Sequence, residues 1–139
     1  MEPIRKMIKA AAKSIDHHAG PFAQELRLTR VQMATLDFIG RQPGQKAKQH
    51  LIETEFAIQR STTTIMLQRL EVRGLIERVP DPTDKRQKLV QLTQEASHLL
   101  PKIREEIKDD DLELLDHFSQ ADLDTVRRLL EYIAEQGYS

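Results

Sequence analysis

The sequence predicts a mainly α-helical fold with one small β-hairpin. Apolar residues recur at helical spacing over most of the 139 residues. The periodicity changes only at Leu75–Val79 and Lys88–Leu92, two short stretches that are typical of paired strands. Most glycines and prolines fall between these segments and mark where elements end. We therefore expect helices on both sides of a single hairpin.

Length and composition limit the class of protein. The chain is long enough for one domain with a buried core, and it has no cysteine, which excludes disulfides and thiolate metal sites. No apolar run approaches the roughly 18 residues of a membrane span. The N-terminal stretch lacks the apolar core of a signal peptide. We expect a soluble cytoplasmic protein without a membrane partner.

Charge is unevenly distributed along the sequence. Residues 1–40 have a net charge of +2, residues 41–88 of +4 and residues 89–139 of −7, within a total of −1. A basic middle and an acidic end indicate a centre that binds a polyanion. The alternative is ordinary scatter in a charge-rich helical protein.

Proline, glycine and a capping motif delimit the first helices. Pro3 is favourable in a first turn, and apolar residues follow at helical spacing over residues 4–15. Gly20–Pro21 predicts a bend, after which the helix continues from Phe22 to Leu28. Thr29–Gln32 has the spacing of a capping box and starts the next helix. The predicted buried face of that helix contains Met33, Leu36, Phe38 and Ile39.

Two helices and a tight turn are predicted next. A short helix runs from about Lys46 to Glu55, and a second runs from Ser61 to Arg73, where Gly74 is suited to end it. Helical spacing separates a buried from an exposed face of this second helix. The buried face contains Thr63, Met66, Leu67 and Leu70, and the exposed face contains Ser61, Thr62, Ile65, Gln68 and Arg69.

The hairpin and the last two helices complete the chain. The polar connection Pro80–Gln87 predicts an exposed loop. Thr93 caps a long helix that includes Pro101 and ends near His117, and Ser119–Asp122 caps the last one. Apolar stripes on the outer helices have no partner in this layout, and a second copy of the chain is the simplest one.

This order of elements predicts a winged helix-turn-helix with N- and C-terminal dimerisation helices. Residues 1–28 are the N-terminal dimerisation helix, 29–93 the winged lobe that binds DNA, and 94–139 the C-terminal dimerisation helices.

Residues 28–93 resemble the MarR (multiple antibiotic resistance regulator) family. The resemblance is carried by LTRVQMATLDFI at 28–39, IETEFAIQRSTTTIMLQRLE at 52–71 and LEVRGLIERVPDPTDKRQKLVQLT at 70–93. It implies a homodimeric transcription factor that binds double-stranded DNA at a pseudo-palindromic operator. Many members release the operator when a small lipophilic or aromatic effector binds. Glu53 and Ile65 depart from the pattern, since many relatives carry alanine and arginine there.

The candidate DNA-binding residues lie on the second helix of the pair and on the hairpin. A major groove admits one α-helix, which enters by its N-terminal end. The resemblance implies that Arg86 enters a minor groove and that Asp84 holds it in place, while Lys85 and Lys88 suit phosphate contacts. The predicted set is Gln59, Arg60, Ser61, Thr62, Ile65, Arg69, Asp84, Lys85, Arg86 and Lys88.

Several of these residues have a structural alternative. Ser61 is equally suited to a plain N-cap, and Arg69 to a solvated or ion-paired side chain. Ile65 either contacts a thymine methyl or packs against the hairpin. A solvated turn with a weak surface ion pair is the alternative at the hairpin tip.

The resemblance also places an effector cavity between the first helix and the winged lobe. The chain offers Ile15, His18, Phe22, Leu36 and Phe38 there, although ordinary core or interface residues fit these positions equally well. The five histidines lack metal-ligand spacing, and no catalytic motif is present, so we expect no metal, no cofactor and no enzyme activity.

The interpretation is a ligand-responsive repressor that acts as a homodimer. The alternative is a winged-helix module that binds protein without specific DNA binding. The sequence identifies neither the operator, nor the regulated genes, nor an effector, and activation in place of repression stays open.

Overall fold

A computed structural model describes residues 1–17 and 20–137. The chain divides into two compact units, Met1–Arg104 and Glu105–Ser139. The structure is mainly helical with one small antiparallel sheet, which confirms the predicted fold class. In chain order the elements are α1 (Ile4–His17), α2 (Pro21–Leu26), α3 (Arg30–Gly40), a 3-10 turn (Pro43–Gln45), β1 (Lys46–Lys48), α4 (Gln49–Phe56), α5 (Arg60–Val72), β2 (Ile76–Asp81), β3 (Asp84–Leu92), α6 (Gln94–Leu114) and α7 (Gln120–Gln136).

The predicted caps of α3, α6 and α7 are confirmed. The backbone N–H of Gln32 donates to the Thr29 hydroxyl at 3.1 Å, and the Gln32 side chain accepts from the Thr29 backbone at 2.9 Å. Ser119 and Asp122 make the same reciprocal pair at the start of α7. The Thr93 hydroxyl accepts from the backbone of Ala96, as a cap of α6 does. Each pair satisfies N–H groups that a helix start leaves free.

The predicted helix from Lys46 to Glu55 is wrong at its start. Lys46–Lys48 form the strand β1, and α4 begins only at Gln49. β1 pairs antiparallel with β3, so that the sheet order is β1-β3-β2. Ala47 lies opposite Val90 and both are buried, while the flanking lysines are exposed. This alternation is that of a strand.

The predicted loop Pro80–Gln87 is also wrong, because most of it belongs to the strands. β2 extends to Asp81 and β3 starts at Asp84, which leaves two connecting residues. The Asp81 side chain closes this turn by accepting hydrogen bonds from the backbone N–H of Thr83 at 2.9 Å and from its hydroxyl at 2.8 Å. Hydrogen bonds from a carboxylate to the residue two positions later stabilise a tight turn, so the two strands continue almost to the turn and no long loop is needed.

The core of the first unit lies between α3, α4, α5, the sheet and the start of α6. The buried face of α5 is the predicted one: Thr63, Met66, Leu67 and Leu70. Phe38 is only partly buried at the edge of this core. α5 begins at Arg60 with Gln59 as its N-cap, so the N-cap alternative for Ser61 is wrong.

Apolar side chains remain exposed on the outer helices, as the sequence predicts. In the first unit they lie on α1, and in the second unit on the end of α6 and along α7. They include Ile4, Met7 and Ile15 on α1, and Leu112, Leu115, Val126, Leu129 and Leu130 in the second unit. No helix in the described part of the chain combines the length and apolar composition of a membrane span.

The turn between α4 and α5 contains a left-handed alanine whose replacement by glycine should stabilise the fold. Ala57 has φ 51° and ψ 46°, a conformation that costs an L-residue about 1–2 kcal/mol. We expect Ala57→Gly to raise the free energy of unfolding in urea by roughly 0.5–1 kcal/mol, after the larger unfolded-state entropy of glycine is subtracted.

Ala34→Gly is the matched control, because Ala34 lies inside the regular helix α3. This variant should lose about 1 kcal/mol. Equal losses in the two variants would show that the Ala57 turn carries no strain.

Candidate nucleic-acid interface

The exposed face of α5 lies between two grooves. The basic groove, of about 680 Å³, is formed by α4, the start of α5 and the hairpin, and is lined by Lys48, Gln49, His50, Glu53, Arg60, Arg78, Arg86, Gln87 and Lys88. The helix groove, of about 560 Å³, is formed by α5 and the connection from α2 to α3, and is lined by Arg27, Thr29, Gln32, Ile65, Gln68, Arg69, Val72 and Arg73.

The basic groove concentrates positive charge. Five lysine and arginine side chains line it, against one carboxylate, that of Glu53. Concave surfaces lined by one sign of charge focus the electrostatic potential and attract polyanions. A chain with a net charge of −1 therefore presents a strongly cationic groove.

A hydrogen-bonded bridge between α4 and α5 fixes the start of α5 beside this groove. The side-chain amide of Gln49 donates to the Thr64 hydroxyl at 2.8 Å. That hydroxyl in turn donates to the backbone carbonyl of Arg60 at 2.9 Å. Sequence reasoning missed Gln49 because it placed this residue inside a longer helix. Gln49 is the first residue of α4, so placing the strand around the buried Ala47 would have put Gln49 at the helix start, where its side chain can reach α5.

The hairpin presents Arg86 on a short two-stranded projection. The side chain of Arg86 is 92% exposed, and its guanidinium Nε lies 3.5 Å from Asp84 Oδ1. The same carboxylate oxygen accepts from the backbone N–H of Arg86 at 3.0 Å. Asp84 therefore restrains both the backbone and the side chain of Arg86, while leaving the guanidinium accessible.

The turn of the hairpin contains a second, buried carboxylate. Asp81 is 3% exposed, and Lys48 Nζ of β1 lies 3.8 Å from its Oδ2. Hydrogen bonds from the backbone and the hydroxyl of Thr83, with a smaller effect of the Lys48 charge, lower the pKa of Asp81 below its ordinary 3.8, although burial opposes this. Asp81 thus joins the hairpin turn to the neighbouring strand.

The helix groove has a different chemistry. Ile65 is 50% exposed and Val72 is 88% exposed, so the outward face of α5 combines apolar side chains with arginines. The Arg73 guanidinium donates to the backbone carbonyl of Arg27 at 2.9 Å and to that of Leu26. The end of α5 is thereby attached to the carbonyls at the end of α2.

The predicted DNA-binding residues are distributed over both grooves. Arg60, Arg86 and Lys88 meet in the basic groove, although they come from different elements. Ile65 and Arg69 line the helix groove. Gln59, Ser61, Thr62 and Lys85 are exposed next to these positions in the chain.

The predicted effector residues lie in varied surroundings. Leu36 is completely buried in the core, and Ile15 is largely exposed. The rings of Phe38 and Phe56 meet edge to face with centroids 6.0 Å apart. The Phe22 ring lies 5.8 Å from Lys102 Nζ. His18 lies outside the described residues, and within those residues no group of three or more His, Asp or Glu could hold a metal ion.

Comparisons with known proteins relate this chain to one family of regulators. A sequence model described as the MarR family matches residues 28–87. The chain is 32% identical over 91 residues to the HTH-type transcriptional repressor NicR of Pseudomonas putida, a match that covers 63% of this chain and 56% of NicR. It is 38% identical over 84 residues to the transcriptional regulator HosA of Escherichia coli O111:H-, covering 60% and 61%. The matches thus span less than two thirds of either relative.

The fold has a close counterpart among solved structures. A crystal structure of a MarR mutant from E. coli, complexed with operator DNA, superposes with a TM-score of 0.81 at 24% identity, covering 94% of this chain and 93% of that chain. This likeness establishes the winged helix-turn-helix fold.

Asp81 should make stability depend on pH in the acid range. Because the pKa of Asp81 is lowered in the folded state, the contribution of its charge to the free energy of unfolding is fully present above the ordinary value of 3.8 and is lost as the pH falls through the folded value. Wild type should therefore exceed Asp81→Asn in urea-unfolding free energy at neutral pH, with a gap that narrows below about pH 4.

Glu77→Gln is the control, since Glu77 is an exposed carboxylate on the same strand. Its difference from wild type should stay small across the range. A constant gap between wild type and Asp81→Asn from pH 7 to pH 3 would contradict a stabilising charge on Asp81.

Proposed function

We propose that this chain is a transcriptional regulator of the MarR family that binds a pseudo-palindromic operator as a homodimer. One observation carries the proposal. The start of a half-exposed helix and an arginine-tipped hairpin line a single basic groove, through Arg60 of α5 and Arg86 of the hairpin.

The dimensions of B-DNA assign a role to each part of this surface. A major groove about 12 Å wide admits α5, whereas a minor groove about 6 Å wide admits a single extended side chain such as Arg86. The free N–H groups at the start of α5 favour a phosphate there. Lys85 and Lys88, both exposed, add phosphate contacts that raise affinity without reading sequence.

The α5 side chains divide between the leading end and the outward face. Gln59 and Arg60 are suited to adenine and guanine edges, and Ser61 and Thr62 to either base or phosphate. Ile65 and Arg69 lie further along the exposed face, in the helix groove. Asp84 acts on DNA through Arg86, because it restrains that side chain.

Homodimerisation is supported by the exposed apolar faces of the outer helices. Val126, Leu129 and Leu130 are each more than one third exposed on α7, and Ile4 and Met7 more than half on α1. Such faces are stabilised by burial against a second copy. We assign dimerisation to residues 1–28 and 94–139 and DNA binding to residues 29–93. Two-fold symmetry then places the half-sites one helical turn apart, about 34 Å.

Repression is the favoured sign of regulation, because a bound dimer blocks access to a promoter. The name of NicR, a transcriptional repressor, supports this assignment. The relatives are named as regulators, which favours binding over catalysis. A small lipophilic or aromatic effector would act by changing the separation of the two α5 helices. A regulator that binds DNA in this way favours a location in the cytoplasm.

Arg86 should read the minor groove, whereas its neighbour Lys85 should contact only phosphate. Selection from random duplexes supplies the operator, and we expect it to be palindromic with half-sites about ten base pairs apart. Arg86→Ala should weaken binding by about 1–3 kcal/mol and flatten the preference for A·T pairs at the flanks of the operator. Titrations at several salt concentrations measure both effects.

Lys85→Ala is the matched control. It should weaken all sequences equally and lower the salt slope by about 1. Loss of A·T preference in both variants, or in neither, would refute the minor-groove role of Arg86. The protein-binding alternative would be favoured if the wild-type protein selected no duplex sequence and instead bound a protein partner with an affinity that does not depend on salt.

The apolar face of α7 should hold the dimer together. Val126→Glu combined with Leu130→Glu places two charges on that face, and we expect monomers by sedimentation equilibrium at concentrations where wild type is dimeric. Glu131→Gln, on the same helix, should leave the dimer intact. If the double variant stays dimeric with an unchanged dissociation constant, α7 is not the interface.

A further inference from the structure

One carboxylate in the first unit binds two arginines from different parts of the chain. The Asp37 side chain on α3 is 19% exposed, and its Oδ1 accepts from Arg104 Nε of α6 at 2.8 Å. The Nε of Arg41 donates to the same side chain at 3.1 Å and 3.2 Å. The Asp37–Arg104 contact joins residues 67 positions apart, whereas Arg41 is four positions from Asp37.

Close helix packing surrounds this ion pair. A Cβ added to Gly40, the last residue of α3, would lie 2.6 Å from Leu100 Cδ1 and 3.2 Å from Arg104 Nη2. Leu100 is buried, so it has little room to move. The absence of a side chain at Gly40 therefore lets α6 approach α3 closely enough for Arg104 to reach Asp37.

The start of α6 is buried in the core of the first unit. Ala96, Leu100 and Ile103 are buried on α6, and the first unit ends at Arg104. The same helix continues for ten residues to Leu114. At 1.5 Å per residue, these ten residues extend about 15 Å. A change of roughly 10° in the direction of a helix displaces a point about 15 Å along its axis by about 2.6 Å.

We propose that Asp37 and Arg104 are positioning residues through which the dimer reads the spacing between operator half-sites. The proposal rests on the proposed function, in which residues 29–93, including Asp37, bind DNA and residues 94–139, including Arg104, dimerise. One base pair of spacing corresponds to about 3.4 Å along the duplex, close to the displacement that a small tilt of α6 produces. A charge-assisted bond of fixed guanidinium geometry limits such tilts.

Arg41 provides the matched control. It binds the same carboxylate, but it is a more exposed side chain and lies on the turn that follows α3 itself. Loss of Arg41 therefore changes the charge around Asp37 without releasing α6. Loss of Arg104 changes that charge equally and also removes the bond between α6 and α3.

The experiment measures binding of the full-length protein to duplexes that carry the selected operator with its natural spacing, with one base pair inserted, or with one base pair removed. A single half-site duplex is measured in parallel. We expect wild type to prefer the natural spacing by at least about tenfold, the size of a mismatch effect. Asp37→Asn and Arg104→Met should reduce this preference at least about threefold and keep half-site affinity within about twofold. Arg41→Met should keep both values.

Each result decides the question. An unchanged spacing preference in folded Asp37→Asn and Arg104→Met overturns the proposal while leaving DNA binding intact. An equal loss of preference in Arg41→Met also overturns it, because the effect would then belong to charge alone. Where Asp37→Asn or Arg104→Met fails to fold, Arg104→Lys tests the same point, since it keeps the charge and loses the planar fork. Wild type that selects no duplex refutes the proposed function itself.

Discussion

Burial of one face of α5 is the constraint on which the rest of the structure depends. Leu67 and Leu70 are completely buried, together with the hydroxyl-bearing Thr63. Burying such side chains contributes about 1.5–3 kcal/mol each, so the helix cannot rotate about its axis without a large loss. The outward residues of α5 are therefore fixed by the inward ones. The Gln49–Thr64 bridge and the Arg73 contacts then fix the two ends of the same helix.

The hairpin is also held in a fixed conformation, although few apolar contacts stabilise it. Two buried residues on neighbouring strands, Ala47 and Val90, hold β1 against β3. Beyond them the hairpin depends on polar contacts, in which Asp81 closes the turn and Asp84 restrains Arg86. Two carboxylates of the basic segment thus organise its cations and keep them accessible. This explains how a chain of nearly neutral total charge presents one strongly cationic groove.

Periodicity and capping chemistry predicted most of the fold, because long amphipathic helices repeat their signal over several turns. The strand β1 was not predicted, because it has only three residues and one inward side chain, Ala47. So short a segment shows no alternation of apolar and polar residues that could be recognised in the sequence. The hairpin was predicted with too long a loop, because the polar Asp81 is buried by contacts that only folding creates. The same limits apply to the site. Arg60 and Arg86 were identified from local position, whereas Lys48 and Gln49 require knowledge of where β1 ends.

Under the proposed function, Ile65 on the outward face of α5 would contribute to the choice of operator sequence. Many family members carry arginine at this position, and the side chain here is apolar, half exposed and lines the helix groove. Water contacts half of this side chain in the free protein, so the exposed half contributes no burial free energy there. If α5 enters a major groove as proposed, the apolar group that the groove offers to Ile65 is the thymine methyl. A guanine at this position would have no hydrogen-bond donor for its acceptors, because isoleucine lacks the guanidinium that arginine supplies. The proposed operator should therefore differ from those of arginine-bearing relatives at the base pair that Ile65 faces, with thymine preferred there.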